Sequence, residues 1–169
     1  GRRFTAAGVA NGSEFQINQA VLNNQRSPSV AALAGGGFVV TWISELERNA
    51  ASVDVYARMY SASGVAVGNE FAVNTEANHI CANPSVAGGP DGGFAVAWSR
   101  RDAVSTNIFS VNPTSGVQTT FTGAAGETGW DVYARQFSSN GLALRPDFRL
   151  NSYVDRDQYA PRISSFGSS

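Results

Sequence analysis

The chain's one histidine and one cysteine, His79 and Cys81, stand two positions apart in Asn78-His79-Ile80-Cys81. Imidazole and thiol at that spacing suggest half of a zinc site, or a nucleophile beside its base. A zinc centre would need a second His or Cys, and the sequence holds neither. The carboxylates Glu45, Glu47, Asp102 and Glu127 fall in segments that connect strands. A pair of them would suit glycoside hydrolysis, but no spacing singles a pair out. Asp54 and Asp131 each precede an arginine by four residues (Arg58 and Arg135). Because the pattern occurs twice, it predicts structural polar contacts rather than a catalytic acid and base. Trp130 is different: it does not recur and stands beside a non-recurring stretch that holds Arg100, Arg101 and Asp102, so it is suited either to stacking on a sugar or to pinning a loop. These four residues form the candidate ligand site. No catalytic residue, metal ligand or cofactor is assigned. The glycine clusters lack the Gly-x-x-x-x-Gly-Lys pattern and open no helix, so they are expected to form turns, not a phosphate cradle.

What positions these residues is legible from composition. Charged residues make up only 15% of the chain and glycines number 18, a balance that suits short strands joined by tight turns. The 12 basic and 13 acidic side chains nearly cancel, and no basic run exceeds the pairs Arg2-Arg3 and Arg100-Arg101. Nucleic acid is therefore not an expected partner. No apolar window approaches the length of a membrane-spanning helix, so membrane insertion is not expected either. One cysteine excludes an intrachain disulfide framework and leaves the compartment open. The first residues lack the apolar core of a signal peptide.

The chain repeats itself. Ser13-Glu14-Phe15-Gln16-Ile17-Asn18 returns as Asn69-Glu70-Phe71-Ala72-Val73-Asn74 and as Pro146-Asp147-Phe148-Arg149-Leu150-Asn151. The offsets are 56 (Phe15 to Phe71) and 77 (Phe71 to Phe148). The same pair of offsets relates Pro28, Pro84 and Pro161, and the turn glycines Gly8, Gly64 and Gly141. Gly36-Gly37-Phe38-Val39-Val40-Thr41-Trp42 matches Gly92-Gly93-Phe94-Ala95-Val96-Ala97-Trp98, and Asp54-Val55-Tyr56-Ala57-Arg58 matches Asp131-Val132-Tyr133-Ala134-Arg135. The difference between the offsets places an insertion between Trp98 and Asp131.

Each unit reads as four short strands. In the first, Ser29 to Ala34, Phe38 to Ser44, Val53 to Ser61 and Glu70 to Asn74 show β-branched and aromatic enrichment or period-two alternation, with glycine turns between them. Pro84 is placed at a strand start, where the missing N–H is tolerated. The predicted fold class is all-β: tandem four-stranded antiparallel meanders resembling β-propeller blades, with a β-sandwich or β-prism-like stack as the rival. The expected organisation is a single repeat domain over 1–169: a partial unit at 1–27, a unit at 28–83, a unit at 84–160 carrying an inserted hairpin at 99–129, and a partial unit at 161–169. Ile108-Phe109-Ser110-Val111 and Val117-Gln118-Thr119-Thr120-Phe121 flank the predicted hairpin turn. Isolated blades leave faces and edges uncovered, so either the chain is a piece of a longer polypeptide or copies assemble so that terminal strands complete one another's partial units; of the two, self-association is the favoured expectation.

The motifs Gly-Asn-Glu-Phe-x-Val-Asn, Gly-Gly-Phe-x-Val-x-Trp and Asp-Val-Tyr-Ala-Arg, spread over residues 2 to 163, resemble a repeat of large exported bacterial proteins of the RTX, hemolysin-type and surface-adhesin kind. That resemblance implies an extracellular or cell-surface setting and a scaffold or interaction role. It transfers no calcium site, since Gly88-Gly89-Pro90-Asp91-Gly92-Gly93 lacks the Gly-Gly-x-Gly-x-Asp spacing, and it transfers no catalytic residue. The functional expectation is a non-enzymatic binding or assembly module for a carbohydrate or protein ligand. A polysaccharide hydrolase or lyase and a structural spacer are the alternatives.

Overall fold

The computed structural model describes residues 1–50, 52–102, 110–111, 118–119, 129–154 and 156–165. Strands and turns are the regular structure of these residues, and no helix occurs among them. The first full repeat unit forms β1 (Gln25–Ala32), β2 (Phe38–Glu45), β3 (Val53–Tyr60) and β4 (Ala66–Ala72), each antiparallel to the one before. The second forms β5 (His79–Gly88), β6 (Phe94–Asp102), β9 (Trp130–Phe137) and β10 (Phe148–Arg149) in the same order. One parallel pair, Val53 with Ile80, joins the two meanders into a single open sheet of eight strands. Within the predicted inserted hairpin, β7 (Ser110–Val111) pairs antiparallel with β8 (Gln118–Thr119). The remainder of that hairpin, residues 103–109, 112–117 and 120–128, lies outside the described residues, as do 166–169 of the last partial unit.

Period-two alternation decides which side chains meet. Along β2 and β3, Val39, Ile43, Val55, Ala57 and Met59 point to one face, and this face packs against Val86, Phe94, Val96, Trp98 and Phe137 of the second meander to form the main core. The opposite face of the first meander carries Val40, Trp42, Tyr56 and Tyr60, against which Phe15 and Ile17 of the preceding partial unit pack. Trp42 and Trp98 have matching tyrosine neighbours. Both are buried, and each ring lies against the tyrosine of the neighbouring strand: Tyr56 at 6.4 Å and 29°, Tyr133 at 6.5 Å and 26°.

The prolines differ from expectation. Pro28 and Pro84 are inside β1 and β5, not at strand starts, because a register shift interrupts pairing between Arg26 and Ser29 and again between Ala82 and Ser85. The residue before each of the three repeat-related prolines, Pro28, Pro84 and Pro161, has a left-handed backbone: Ser27 (φ 56°), Asn83 (φ 50°) and Ala160 (φ 57°). A bulge of this kind releases the proline from ladder pairing, so the strand continues through it. Through the same extension His79 and Cys81 belong to β5. The meanders approach closely at the other end of β5. A Cβ on Gly88 would come within 2.2 Å of the Ala32 carbonyl oxygen, which is why glycine stands where the first unit has Ala32.

Candidate functional site

The ladder divides the four candidate ligand residues between two faces. Arg100 lies opposite Asp131, and Arg101 opposite Trp130. The Arg100 guanidinium stacks on the Tyr133 ring at 4.1 Å and approaches Asp147 at 3.9 Å, with its side chain 14% exposed. It is thus set among residues of its own meander. Trp130 is half-buried and meets Tyr159 edge-on at 5.0 Å. Its backbone is tied to the segment that follows β10: Gln158 N–H donates to the Trp130 carbonyl (2.6 Å), and Trp130 N–H donates to Asp157 Oδ1 (3.1 Å). Arg101 is half-buried on the Trp130 face. The backbone of Asp102 pairs with His79, and Glu127 lies outside the described residues.

His79 and Cys81 serve separate environments. His79 Nε2 is 2.9 Å from Glu76 Oε2. The Cys81 side chain is fully buried beneath the meanders, and this burial pushes its thiol up to about 12. A thiol so placed remains protonated at neutral pH and is no nucleophile. Among the described residues, no group of three or more His, Cys, Asp or Glu is arranged to hold a metal ion. Glu45 accepts from Arg26 Nε (2.6 Å), a hydrogen bond that lowers its carboxyl below the usual range. Glu47 accepts from the Ser44 hydroxyl. Burial first, and then the nearby Glu47 charge, raises Tyr56 to about 12.

Asp54 and Asp131 are buried polar residues, but their partners differ from the expected Arg58 and Arg135. Asp54 is held by Arg48 and by Asn74 Nδ2 (2.8 Å). Asp131 is held by Asn151 Nδ2 and faces Arg149 at 3.6 Å. The two repeated arginines instead reach across to the preceding unit: Arg58 Nη1 donates to the Ile17 carbonyl (3.0 Å) and Arg135 Nη1 to the Val73 carbonyl (2.8 Å). Asp54 and Arg58 share a face of β3, yet the longer side chain extends past its own sheet.

Other contacts between units recur with the same two offsets. Val86 N–H donates to Ser29 Oγ (3.3 Å), and Ile163 N–H to Ser85 Oγ (3.2 Å). Phe15 tilts on Tyr60 at 5.7 Å, and Phe71 on Phe137 at 5.5 Å. Glu70 accepts from the N–H groups of Gln19 and Ala20, and Asp147 accepts from that of Thr75. The asparagines closing the second and third copies of the motif also prove to be hubs. Asn74 Oδ1 accepts from Val55 N–H (2.8 Å), while its Nδ2 donates to Asp54 and to the Glu76 carbonyl. Asn151 makes the matching bonds to Val132, Asp131 and Tyr153. Sequence reasoning assigned these asparagines no role, although their presence in all three copies was the available signal.

A large local difference between equivalent positions is on the open face of the first meander. Val30 is 65% exposed, whereas its counterpart Val86 is 6% exposed. Two adjoining hollows of about 360 and 450 Å3 run along this face, with Ile17, Pro28 and Val40 in both walls, Gln25 and Trp42 in one, and Val30 in the other.

No family model matches the chain, and no curated protein matches it, so the likeness to exported bacterial repeats rests on the quoted motifs. Among solved structures it is similar to the Hadza microbial sialidase Hz136, with a TM-score of 0.51 and 10% sequence identity, over 74% of this chain and 25% of the sialidase chain. The chain thus spans about a quarter of that protein's length. At this identity the likeness is one of fold.

Proposed function

We propose that the chain is a non-enzymatic binding and assembly module, with propeller-like blades as scaffold and the 99–129 segment as its variable element. Its ligand is a carbohydrate or a protein surface. The observation that carries this reading is the double use of one inter-unit contact, Arg58 on Ile17 and Arg135 on Val73. The recurring polar residues are engaged in stacking, so the non-recurring insertion is left to supply specificity. The fold likeness to a sialidase, a β-propeller protein, supports the blade interpretation.

Binding of the intact chain and of a variant lacking residues 103–128 to glycan and protein arrays tests the proposal. Binding that is lost on deletion supports it, and binding that survives deletion removes the insertion from the site. The sialidase likeness also favours a second reading, hydrolysis of a glycan, with Asp102 and Glu127 as the carboxylates. Turnover on a glycan panel that disappears in Asp102→Asn or Glu127→Gln would establish that reading instead. A silent chain in every assay would favour a structural spacer.

A further inference from the structure

Where the inner strands of successive units converge, the chain builds a polar pocket of about 290 Å3. Ser27 and Ser29 of the first unit line it, with Asn83 and Ser85 of the second and Arg162 of the third. Two complete units and their successor thus make the wall. The backbone beside the pocket is strained in the same way in each copy: Ser27, Asn83 and Ala160 are left-handed, although a proline follows each and favours an extended predecessor. Strain of this kind persists only where the surroundings impose it, and it collects at binding sites.

The wall is rich in hydrogen-bond donors. Ser29 Oγ accepts from Val86 N–H and Ser85 Oγ from Ile163 N–H, so each hydroxyl keeps its own proton to give. The side chains of Ser27 and Asn83 make no hydrogen bond among the described residues. Arg162 uses Nη1 on the Pro161 carbonyl (3.0 Å) and holds further guanidinium N–H groups in reserve. No carboxylate is among the lining residues. A fixed positive charge with neutral donors around it is the complement of an oxyanion. Serine fills the position of Arg162 in the first two copies, so the charge departs from the stacking pattern that the units share.

We infer that this pocket binds the carboxylate of a small organic acid. One guanidinium balances one negative charge, so a monoanion is fully compensated, whereas a phosphate dianion would keep an unpaired charge. Arg162 takes the carboxylate in its planar fork, and the Ser29 and Ser85 hydroxyls and the Asn83 amide supply the remaining hydrogen bonds. The volume is at the lower end of small-molecule sites and fits a ligand of monosaccharide size. None of the lining residues belongs to the 99–129 segment, so the site is additional to the one proposed above.

The test is an amide NMR titration of the intact chain with glucuronate, beside glucose as its uncharged twin and inorganic phosphate as the competing anion. Shifts that saturate with glucuronate and centre on Ser29, Ser85 and Arg162 are expected, with no response to glucose. Affinity should fall about tenfold in Arg162→Gln, a substitution at an exposed position. It should fall about threefold in Asn83→Gly, which removes the amide while glycine accepts the left-handed backbone. Deletion of residues 103–128 should change nothing. No saturation with glucuronate, an equal response to glucose, tighter binding of phosphate, or indifference to Arg162→Gln would overturn the inference. Because array binding through the insertion is read separately, failure of the carboxylate site leaves the proposed function standing, and the converse result leaves the carboxylate site standing.

Discussion

Replacing the hub asparagine by alanine in each of the three motif copies should cost stability in the order Asn74, Asn151, Asn18. Asn74 is 2% exposed, and its two strand partners, Val55 and Asp54, are fully buried. Truncation leaves the Val55 N–H without an acceptor, at a cost of about 1–3 kcal/mol, and removes one donor from Asp54, at about 1.5–3 kcal/mol for a hydrogen bond to a charged group. Asp54 retains Arg48, so a total of about 3–5 kcal/mol is expected. Asn151 makes the same bonds, but it and Val132 are half-buried. Water can replace part of what is lost, and about 1.5–3 kcal/mol follows. Asn18 donates one bond to a neighbouring carbonyl, so about 0.5–1 kcal/mol is expected. Urea titration followed by tryptophan fluorescence, with the m-value checked for constancy, reads all three. Equal costs, or a larger effect at Asn18 than at Asn74, would refute the assignment of these residues as hubs whose value is set by what they hold.

Cys81 should resist iodoacetamide in the native chain at pH 8 and react once urea unfolds it. The folded thiol is pushed above its ordinary 9.0 to about 12, so the stability it contributes is whole below about pH 9 and declines as pH rises toward 12. Tyr56, raised from 10.0 to about 12, adds a decline that begins above pH 10. Unfolding midpoints from pH 7 to 11 should therefore begin to fall near pH 9, and Cys81→Ala should delay that onset to about pH 10. Gly88→Ala should lower the melting temperature sharply, because a Cβ would lie 2.2 Å from the Ala32 oxygen and the inner strands would have to separate. Cys81→Gln should destabilise by about 1–3 kcal/mol through overpacking, and Arg100→Ser in the same chain should recover part of the loss. A double-mutant cycle with no coupling would dismiss the exchange.

That last pair shows where repeat reasoning succeeds and where it stops. Gln25 faces Ser44 across the first ladder, and Cys81 faces Arg100 across the second. Gln25 Oε1 accepts the indole N–H of Trp42 at 2.8 Å. Shortening glutamine to cysteine makes room for the Arg100 side chain on Tyr133, but leaves the Trp98 indole N–H without a hydrogen-bond partner among the described residues. The sequence alignment shows both substitutions without showing that they face each other. The two offsets correctly paired Trp42 with Trp98 and Phe15 with Phe71, because stacking requires equivalent residues to meet equivalent neighbours. They could not show that Arg48, which lies in the connection between β2 and β3 and has no matching motif residue, would take the partner expected for Arg58. Nor does composition reveal a left-handed residue before Pro28 and Pro84, so the start of each inner strand was placed too late.

The same comparison shows that the two units carry unlike faces. On the inward face of the first unit stand Val39, Ile43 and Met59, and their equivalents on the outward face of the second are Ala95, Ser99 and Gln136. Each replacement is smaller or more polar. Ser99 Oγ accepts from Ala160 N–H (2.9 Å) and Ser85 Oγ from Ile163 N–H, so hydroxyls help to hold the segment that covers this side. On the first unit Val30 is exposed over apolar hollows, whereas its equivalent Val86 is buried. Truncation therefore has unlike consequences at equivalent positions: alanine at the buried Met59 should cost about 2–5 kcal/mol, and at the exposed Gln136 less than about 0.5 kcal/mol, as read by urea titration. Equal costs at the two positions would refute the assignment of unlike faces.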